Sequence, residues 1–567
     1  MLKRFALGGL LPLAAHMGAS PKGYAAGVTT YVNPLDVLIA DPYALYHDEV
    51  YYLYGTSSPW GFKVWSSPDL VNWRYRGMAF NATPSSWGKN RFWSPEVIAK
   101  NGVFYMFYSA GGSPNDLMRI CAASATSPLG PFKDIATPLF DDGKAWIDAH
   151  VFTDTDGVSY LYCAQDISYP PDTKSEIYVA RLRSDMKALD TTPTLCITPS
   201  APWEFPGGGV NGWNEGPFVF KHNGVYYMTY SGDVYSNPGY SVGYATATSP
   251  FGPWKKYSGN PILKKNAFVS GPGHNSIVRS PDGSELFIVY HTHQQASGGD
   301  DRQLAIDRLA FTADGAGGPD MLSVPGGPSY GLMNYPSGDS PFPFGTSDNF
   351  NSTTLDRTRW IIFNEESGYW RLANGQLSIT TQEGDIYSSR ADASNIFLQY
   401  APPGGFSATV KVSFVPQANY EQAFLILWQD HKNYARFSTL CADGLKFEII
   451  RETNATPVTF QTPNSIGSPV YLRIDCGGSV MRFHASPDGS RWTQIGPDYP
   501  LTLLEVKIGL GAIAPDSGAA REALFDDFRI TPSAPSRVDE WIHSGRDNIR
   551  LGVNIYGEPM KLVKQDG

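Results

Sequence analysis

The sequence predicts an all-β protein, a five-bladed β-propeller followed by a β-sandwich domain, and three observations carry that prediction. Helical periodicity is almost absent along the 567 residues, where short alternating or apolar runs are cut by DG, NG and PG turns. One pattern recurs five times between Asp41 and Tyr290: a polar residue, a short apolar run, a turn and a Tyr/Phe-rich strand. The matching aromatics Tyr52, Tyr105, Tyr160, Tyr227 and Phe287 are 53, 55, 67 and 60 residues apart, an uneven period that suits four-stranded blades with variable loops.

Residues 1–26 read as a secretion signal, which places the protein outside the cell or in a periplasm. Lys3 and Arg4 precede an apolar stretch from Phe5 to about Ala15, and the small pair Ala25-Ala26 suits cleavage. The stretch is too short to span a membrane, and no later segment qualifies. The propeller is expected over 27–318. Its copies open at Asp41 (DPYALYHDEVYYLYG), Glu96 (EVIAKNGVFYMFYS), Asp148 (DAHVFTDTDGVSYLYC), Glu215 (EGPFVFKHNGVYYMTYS) and His274 (HNSIVRSPDGSELFIVYH). The second halves repeat too: FKVWSSPDLVNW, ICAASATSPLGPF and VGYATATSPFGPW share a strand, an SP turn and an aromatic. Residues 319–345, rich in Gly, Pro and Ser, are expected to form a linker or a strap across a domain surface. The sandwich follows over 346–533, with alternating strands such as 406–414, 423–429 and 470–475. The tail 534–567 is mixed and polar and predicts no element.

Composition narrows the partners. The net charge is −10 and no Lys/Arg run interleaves with aromatics, which argues against nucleic acid. An uncharged polymer or a small polar substrate fits better. Aromatics make up 13% of the chain; most serve strands and core, and their flat faces also suit sugar rings. Five cysteines show no metal-ligand spacing, and their odd number leaves at least one unpaired; Cys441 and Cys476 share the second domain and could bridge.

If each copy is one blade, Asp41, Glu96, Asp148, Glu215 and His274 occupy equivalent registers and converge on one axis. Buried charges are costly without a use, so this convergence marks an active site. Cleaving a glycosidic bond needs an acid for the leaving oxygen and a base or nucleophile on the opposite face. Asp41, Asp148 and Glu215 are the best carboxylates for it, and a third carboxylate nearby raises the acid's pKa. The residues alone do not assign the three roles.

At these positions the chain resembles a known family. ADPY (40–43), WSPEV (93–97), IDAHVF (147–152), NEGPFVF (214–220), GPGHNS (271–276) and RQLAIDRLAF (302–311) are similar, in order, to the motifs of glycoside hydrolase family 43. The resemblance implies single-displacement hydrolysis with inversion, with Asp41 as general base, Glu215 as general acid and Asp148 as the group that tunes and orients the acid. It implies that Arg302 reaches the sugar, the alternative being an ion pair with Asp300 or Asp301. Trp93 is either a pocket wall or blade packing. His274 stands beside a water-held calcium ion or is a hydrogen-bonded core histidine, and no calcium motif is local to it. No cofactor is required. Glu96 is expected to support the site, and His291 and His293 to face sheet neighbours.

The segment from Asp348 resembles the concanavalin-like module joined to many such propellers. Its Trp360, Trp370, Trp428 and Trp492 form either a sugar platform or a core. Together these features imply a monomeric, exo-acting enzyme on a poly- or oligosaccharide, without membrane or nucleic-acid partners. It would release α-L-arabinofuranose or β-D-xylose, or alternatively another furanoside such as β-D-galactofuranose. A non-catalytic carbohydrate-binding propeller would be expected to lack one of the three carboxylates, and all are present.

Overall fold

The computed structural model describes residues 27–533 apart from 113–114, 168–172, 339–341, 478 and 517–519; in the tail it describes only the paired strands Gly552–Val553 and Pro559–Met560. The expected signal at 1–26 and the rest of the tail lie outside these residues. Among the described residues no helix is long and apolar enough to cross a membrane.

Five sheets follow one another, each an antiparallel four-stranded meander from its inner to its outer strand; in the fourth, Lys174–Ser175 adds a short parallel strand beside the inner one. The inner strands are Ala40–His47, Gly88–Lys100, Trp146–Thr153, Gly212–His222 and Gly273–Arg279. Five apolar clusters each pack residues of two neighbouring blades, so the core of the propeller lies between its blades. Between blades 1 and 2, the rings of Phe62, Phe80, Phe92 and Tyr108 pack 5.0–6.2 Å apart. The Tyr/Phe-rich repeat is therefore a packing requirement: large flat side chains fill the seams between twisted sheets.

The N-terminal segment closes the ring. Leu35 and Ile39 donate backbone hydrogen bonds to Leu304 and Arg302 on the third strand of blade 5. The outer strand of that blade, Met321–Ser323, falls inside the expected linker, so the propeller runs past residue 318. The rest of the stretch is a strap: Leu332–Asn334 pairs with Thr30–Val32, and Phe342–Pro343 with Gly27–Val28.

Two seven-stranded sheets form the sandwich. Phe406–Ser413 alternates buried and half-buried residues, as its pattern predicts. Gln422–Asp430, expected to alternate as well, is instead buried on both faces. One face meets the sandwich core, while Phe424, Ile426 and Trp428 pack under Ile386, Ala391 and Ala393, with Leu38 of the propeller against them. Trp360 and Trp428 are core residues, Trp370 packs on Phe397, and Arg473 covers half-buried Trp492, so the four tryptophans form no sugar platform. Cys441 and Cys476 stay unpaired, as do the other three cysteines, because the two lie on opposite sheets.

Candidate active site

Every inner strand carries a bulge at the same place. Pairing with the second strand skips two residues after Ala40, Trp93, Ile147, Glu215 and Gly273. The first residue of each bulge is left-handed: Asp41 (φ 51°), Ser94 (47°), Asp148 (59°), Gly216 (54°) and His274 (48°). That conformation costs an L-residue about 1–2 kcal/mol, and such strain gathers at functional sites. The expected common register is therefore corrected. Asp41, Asp148 and His274 share the bulge position, Glu215 stands one residue before it and Glu96 two residues after. A bulge turns successive side chains away from simple alternation, and in this way all but Glu96 face one pocket.

Each bulge N–H is held by the preceding blade. Ser94 donates to Thr56 Oγ1 (3.0 Å), Asp148 to Ser109 Oγ (3.0 Å), His274 to Ser231 Oγ (2.8 Å) and Asp41 to His291 Nδ1 (3.0 Å). The acceptors stand at matching places, opposite Ala40, Trp93, Glu215 and Gly273. In blade 3 that place is Ala164, which has no acceptor to offer. The Gly216 N–H donates instead to Asp148 Oδ2 (3.1 Å), which brings the Asp148 carboxylate beside Glu215.

The carboxylates sit in contrasting surroundings. Asp41 Oδ1 receives Arg302 Nη1 at 3.1 Å, and its Oδ2 receives the Thr56 hydroxyl at 2.6 Å. Burial opposes ionisation of Asp41, but Arg302 above all, then His274 and the Thr56 hydrogen bond, hold its pKa well below the usual range. Glu215 Oε1 receives the buried Tyr240 hydroxyl at 2.9 Å. Burial, and then the nearby charge of Asp148, push the Glu215 pKa well above the usual value. Asp148 is raised as well, chiefly by burial, although Ser94 and Gly216 hydrogen-bond its ionised form.

The pocket has a volume of about 250 Å³, room for a terminal sugar unit. Trp93, Trp213, Tyr235, Ile147, Ile167, Val234 and Asn211 form its walls. Trp93 thus faces the pocket and also packs at the edge of a blade core. Arg302 reaches the pocket while paired with Asp41, its guanidinium 4.6 Å from the Tyr235 ring centre; it meets Asp300 only through the backbone carbonyl. Glu96 lies off the lining, where it bonds His150 Nδ1 at 2.8 Å. His291 and His293 are buried. His291 stacks on Tyr240, and His293 bonds Ser270 Oγ and the Tyr235 carbonyl, so both brace the walls. Tyr235, Tyr240, Trp213, Thr56 and Ser94 carry no role in the sequence expectations. The glycine of NEGP and the prolines after Asp41 and Ser94 were the available signals, because Gly and Pro inside a strand mark a bulge.

A calcium ion beside His274, one of the two readings of that residue, would have to be held largely through water. Calcium takes 6–8 oxygens. Among the described residues no group of three His, Cys, Asp or Glu could hold a metal, and the nearby carboxylates are engaged: Asp41 by Thr56 and Arg302, Glu96 by His150.

Residues 31–316 match the family described as Glycosyl hydrolases family 43, and 347–531 match the Beta xylosidase C-terminal Concanavalin A-like domain. The Beta-D-galactofuranosidase xynD of Aspergillus niger is 30% identical over 296 residues, covering 49% of this chain and 80% of that protein. The extracellular exo-alpha-(1->5)-L-arabinofuranosidase of Streptomyces avermitilis is 28% identical over 332 residues, covering 54% of this chain and 65% of that protein. A crystal structure of a thermostable family-43 glycoside hydrolase is 48% identical, with a TM-score of 0.52, and covers 55% of this chain and 100% of that one. With three carboxylates in one pocket and this match over residues 31–316, the chain belongs to glycosyl hydrolases family 43 and is a glycosidase.

Proposed function

We propose that the protein is a secreted, inverting, exo-acting glycosidase that releases terminal α-L-arabinofuranose, or β-D-xylose, from plant cell-wall type polysaccharides or their oligosaccharides. The observation that carries this is the opposed state of two carboxyls in one small pocket. Against burial, Arg302 above all holds the Asp41 pKa below the usual range, while burial and then Asp148 push the Glu215 pKa above it. Asp41, as base, takes a proton from a water that attacks the anomeric carbon. Glu215, as acid, gives its proton to the departing oxygen on the other side, so the configuration inverts in one displacement. Asp148 keeps the proton on Glu215 by like-charge repulsion and fixes the backbone next to it through Gly216. Arg302, with donors left over after Asp41 and Asp300, suits vicinal hydroxyls of the bound sugar. Walls on several sides favour a chain end over the middle of a polymer. No step runs through a metal or cofactor, and the enzyme acts as a monomer.

A second substrate reading rests on the Aspergillus niger relative, a galactofuranosidase matched over 80% of its length. α-L-Arabinofuranosyl and β-D-galactofuranosyl rings share the configuration of C1 to C4 and differ by one CH2OH on the exocyclic arm. One pocket can therefore be tuned between them.

Hydrolysis of the nitrophenyl glycosides of arabinofuranose, xylose and galactofuranose, with anomer analysis by NMR, tests the proposal. Arabinofuranoside or xyloside cleavage with inversion is expected, together with a loss of about 10²–10⁴ in kcat for Glu215→Gln on an alkyl leaving group. Preferred cleavage of the galactofuranoside would select the second reading. A fully active Glu215→Gln would remove the acid from its role. For export, mass spectrometry of the mature protein should find the N-terminus after Ala26, and an intact Met1 would argue against it.

A further inference from the structure

We infer that Thr56 and Ser94 are positioning residues that tie the base to the acid, so that the Asp41 and Asp148 carboxylates and the backbone beside Glu215 are held by one strand-borne chain of hydrogen bonds. The inference rests on the reading of Asp41 as base and Glu215 as acid. The chain has four links. Thr56 Oγ1 donates to Asp41 Oδ2 at 2.6 Å, and the same oxygen accepts the Ser94 N–H at 3.0 Å. The Ser94 hydroxyl donates to Asp148 Oδ1 at 2.8 Å, and Asp148 Oδ2 accepts the Gly216 N–H, next to Glu215, at 3.1 Å. Base, tuning group and acid thus lie along one path through blades 1, 2, 3 and 4, and every member of that path sits on a strand.

The direction of each bond is fixed. The Ser94 N–H can only donate, so it takes a lone pair of Thr56 Oγ1, and the one hydroxyl proton of Thr56 goes to the remaining partner, the Asp41 carboxylate. Ser94 is buried, and its left-handed backbone aims its N–H at one blade and its hydroxyl at another. A serine in that conformation is strained, whereas glycine adopts it freely, so a reason to keep serine must lie in its hydroxyl. The acceptor of that hydroxyl is the carboxylate that keeps Glu215 protonated. Neither residue exchanges a proton with substrate; each acts through the carboxylate it holds.

The two ends of the chain predict different kinetic signatures. Removing the Thr56 hydroxyl frees the base, and water attack is needed whatever the leaving group. Removing the Ser94 hydroxyl frees Asp148 and through it the acid, which matters most when the departing oxygen is a poor leaving group.

The test compares Ser94→Gly, Thr56→Val and Thr56→Ser in the full-length enzyme on a nitrophenyl glycoside and on the matching disaccharide, with KM and Tm measured alongside. Ser94→Gly is expected to lose about 10–100-fold in kcat on the disaccharide and much less on the nitrophenyl glycoside, with KM nearly unchanged and Tm not lowered. Thr56→Val should lose similarly on both substrates, and Thr56→Ser, which keeps the oxygen, should recover most of the rate. Wild-type kcat in Ser94→Gly and Thr56→Val would overturn the inference, as would losses that simply follow a fall in Tm. Glu215→Gln, run in parallel, separates the two levels: if it is inactive while Ser94→Gly and Thr56→Val are normal, only the positioning chain fails. If Glu215→Gln is fully active, the underlying reading fails.

Discussion

At the scale of single residues, the pKa values of two carboxyls of one pocket are driven in opposite directions by what touches them. Asp41 has a guanidinium and a hydroxyl; Glu215 has burial, one phenol and another carboxylate. The proposed mechanism requires the first ionised and the second protonated. The acid limb of the pH profile therefore follows Asp41 and lies below the ordinary carboxylate range, while the basic limb follows Glu215 and lies above it. Asp148→Asn removes a neighbouring negative charge that raises the Glu215 pKa. Its loss makes Glu215 easier to ionise, so the basic limb of kcat/KM should move to lower pH. A profile that keeps its basic limb while kcat falls would leave Asp148 with a purely geometric part.

At the scale of the strand, the decisive device is the bulge. The repeated sentence in the sequence made the blades, their order and the three carboxylates legible, because packing between sheets demands the same aromatics at the same places. The register was not legible. Alternation counts residues two by two, and an unpaired bulge residue breaks the count without changing the polarity pattern. Glu215 shows the slip: Asp41 and Asp148 are bulge residues themselves, while blade 4 has Gly216 there and its carboxylate one step earlier. The bulge also explains why Asp148 serves Glu215, since Ala164 leaves the Gly216 N–H without a hydroxyl. Ala164→Ser would restore what blades 2 and 4 carry at that place and compete with Asp148 for this N–H. We expect kcat to fall several-fold with Tm maintained, checked by steady-state kinetics beside thermal melts; an unchanged kcat would mean that Asp148 is placed by Ser94 alone.

At the scale of the whole molecule, the sandwich is bound to the propeller at the segment that closes the ring. Asp36 accepts the Trp428 indole N–H at 3.0 Å and pairs with Lys507, while Tyr400 of the sandwich bonds Asn72 and Tyr335. None of this was legible in the sequence, because Asp36 and Lys507 are 471 residues apart and a single aspartate in a loop has no pattern. Burial lowers the Lys507 pKa, but Asp36, together with Tyr400 and Glu505, raises it overall, so Asp36→Ala would leave a largely buried ammonium without its ion-pair partner. Breaking such a pair costs about 3–5 kcal/mol, and a clear fall in Tm is expected with activity at room temperature retained. An unchanged melt would show that Lys507 finds water or another partner. The ring of bulge N–H bonds bears on how such an enzyme diversifies. Thr56, Ser94 and Arg302, which hold Asp41 and Asp148, belong to strands, whereas Asp166, Ile167, Asn211, Val234 and Tyr235 of the pocket wall lie between strands. The loop-borne part of the wall can therefore change without the frame. Descendants of one such frame could exchange one sugar for another by loop replacement alone and inherit the acid and the base already tuned.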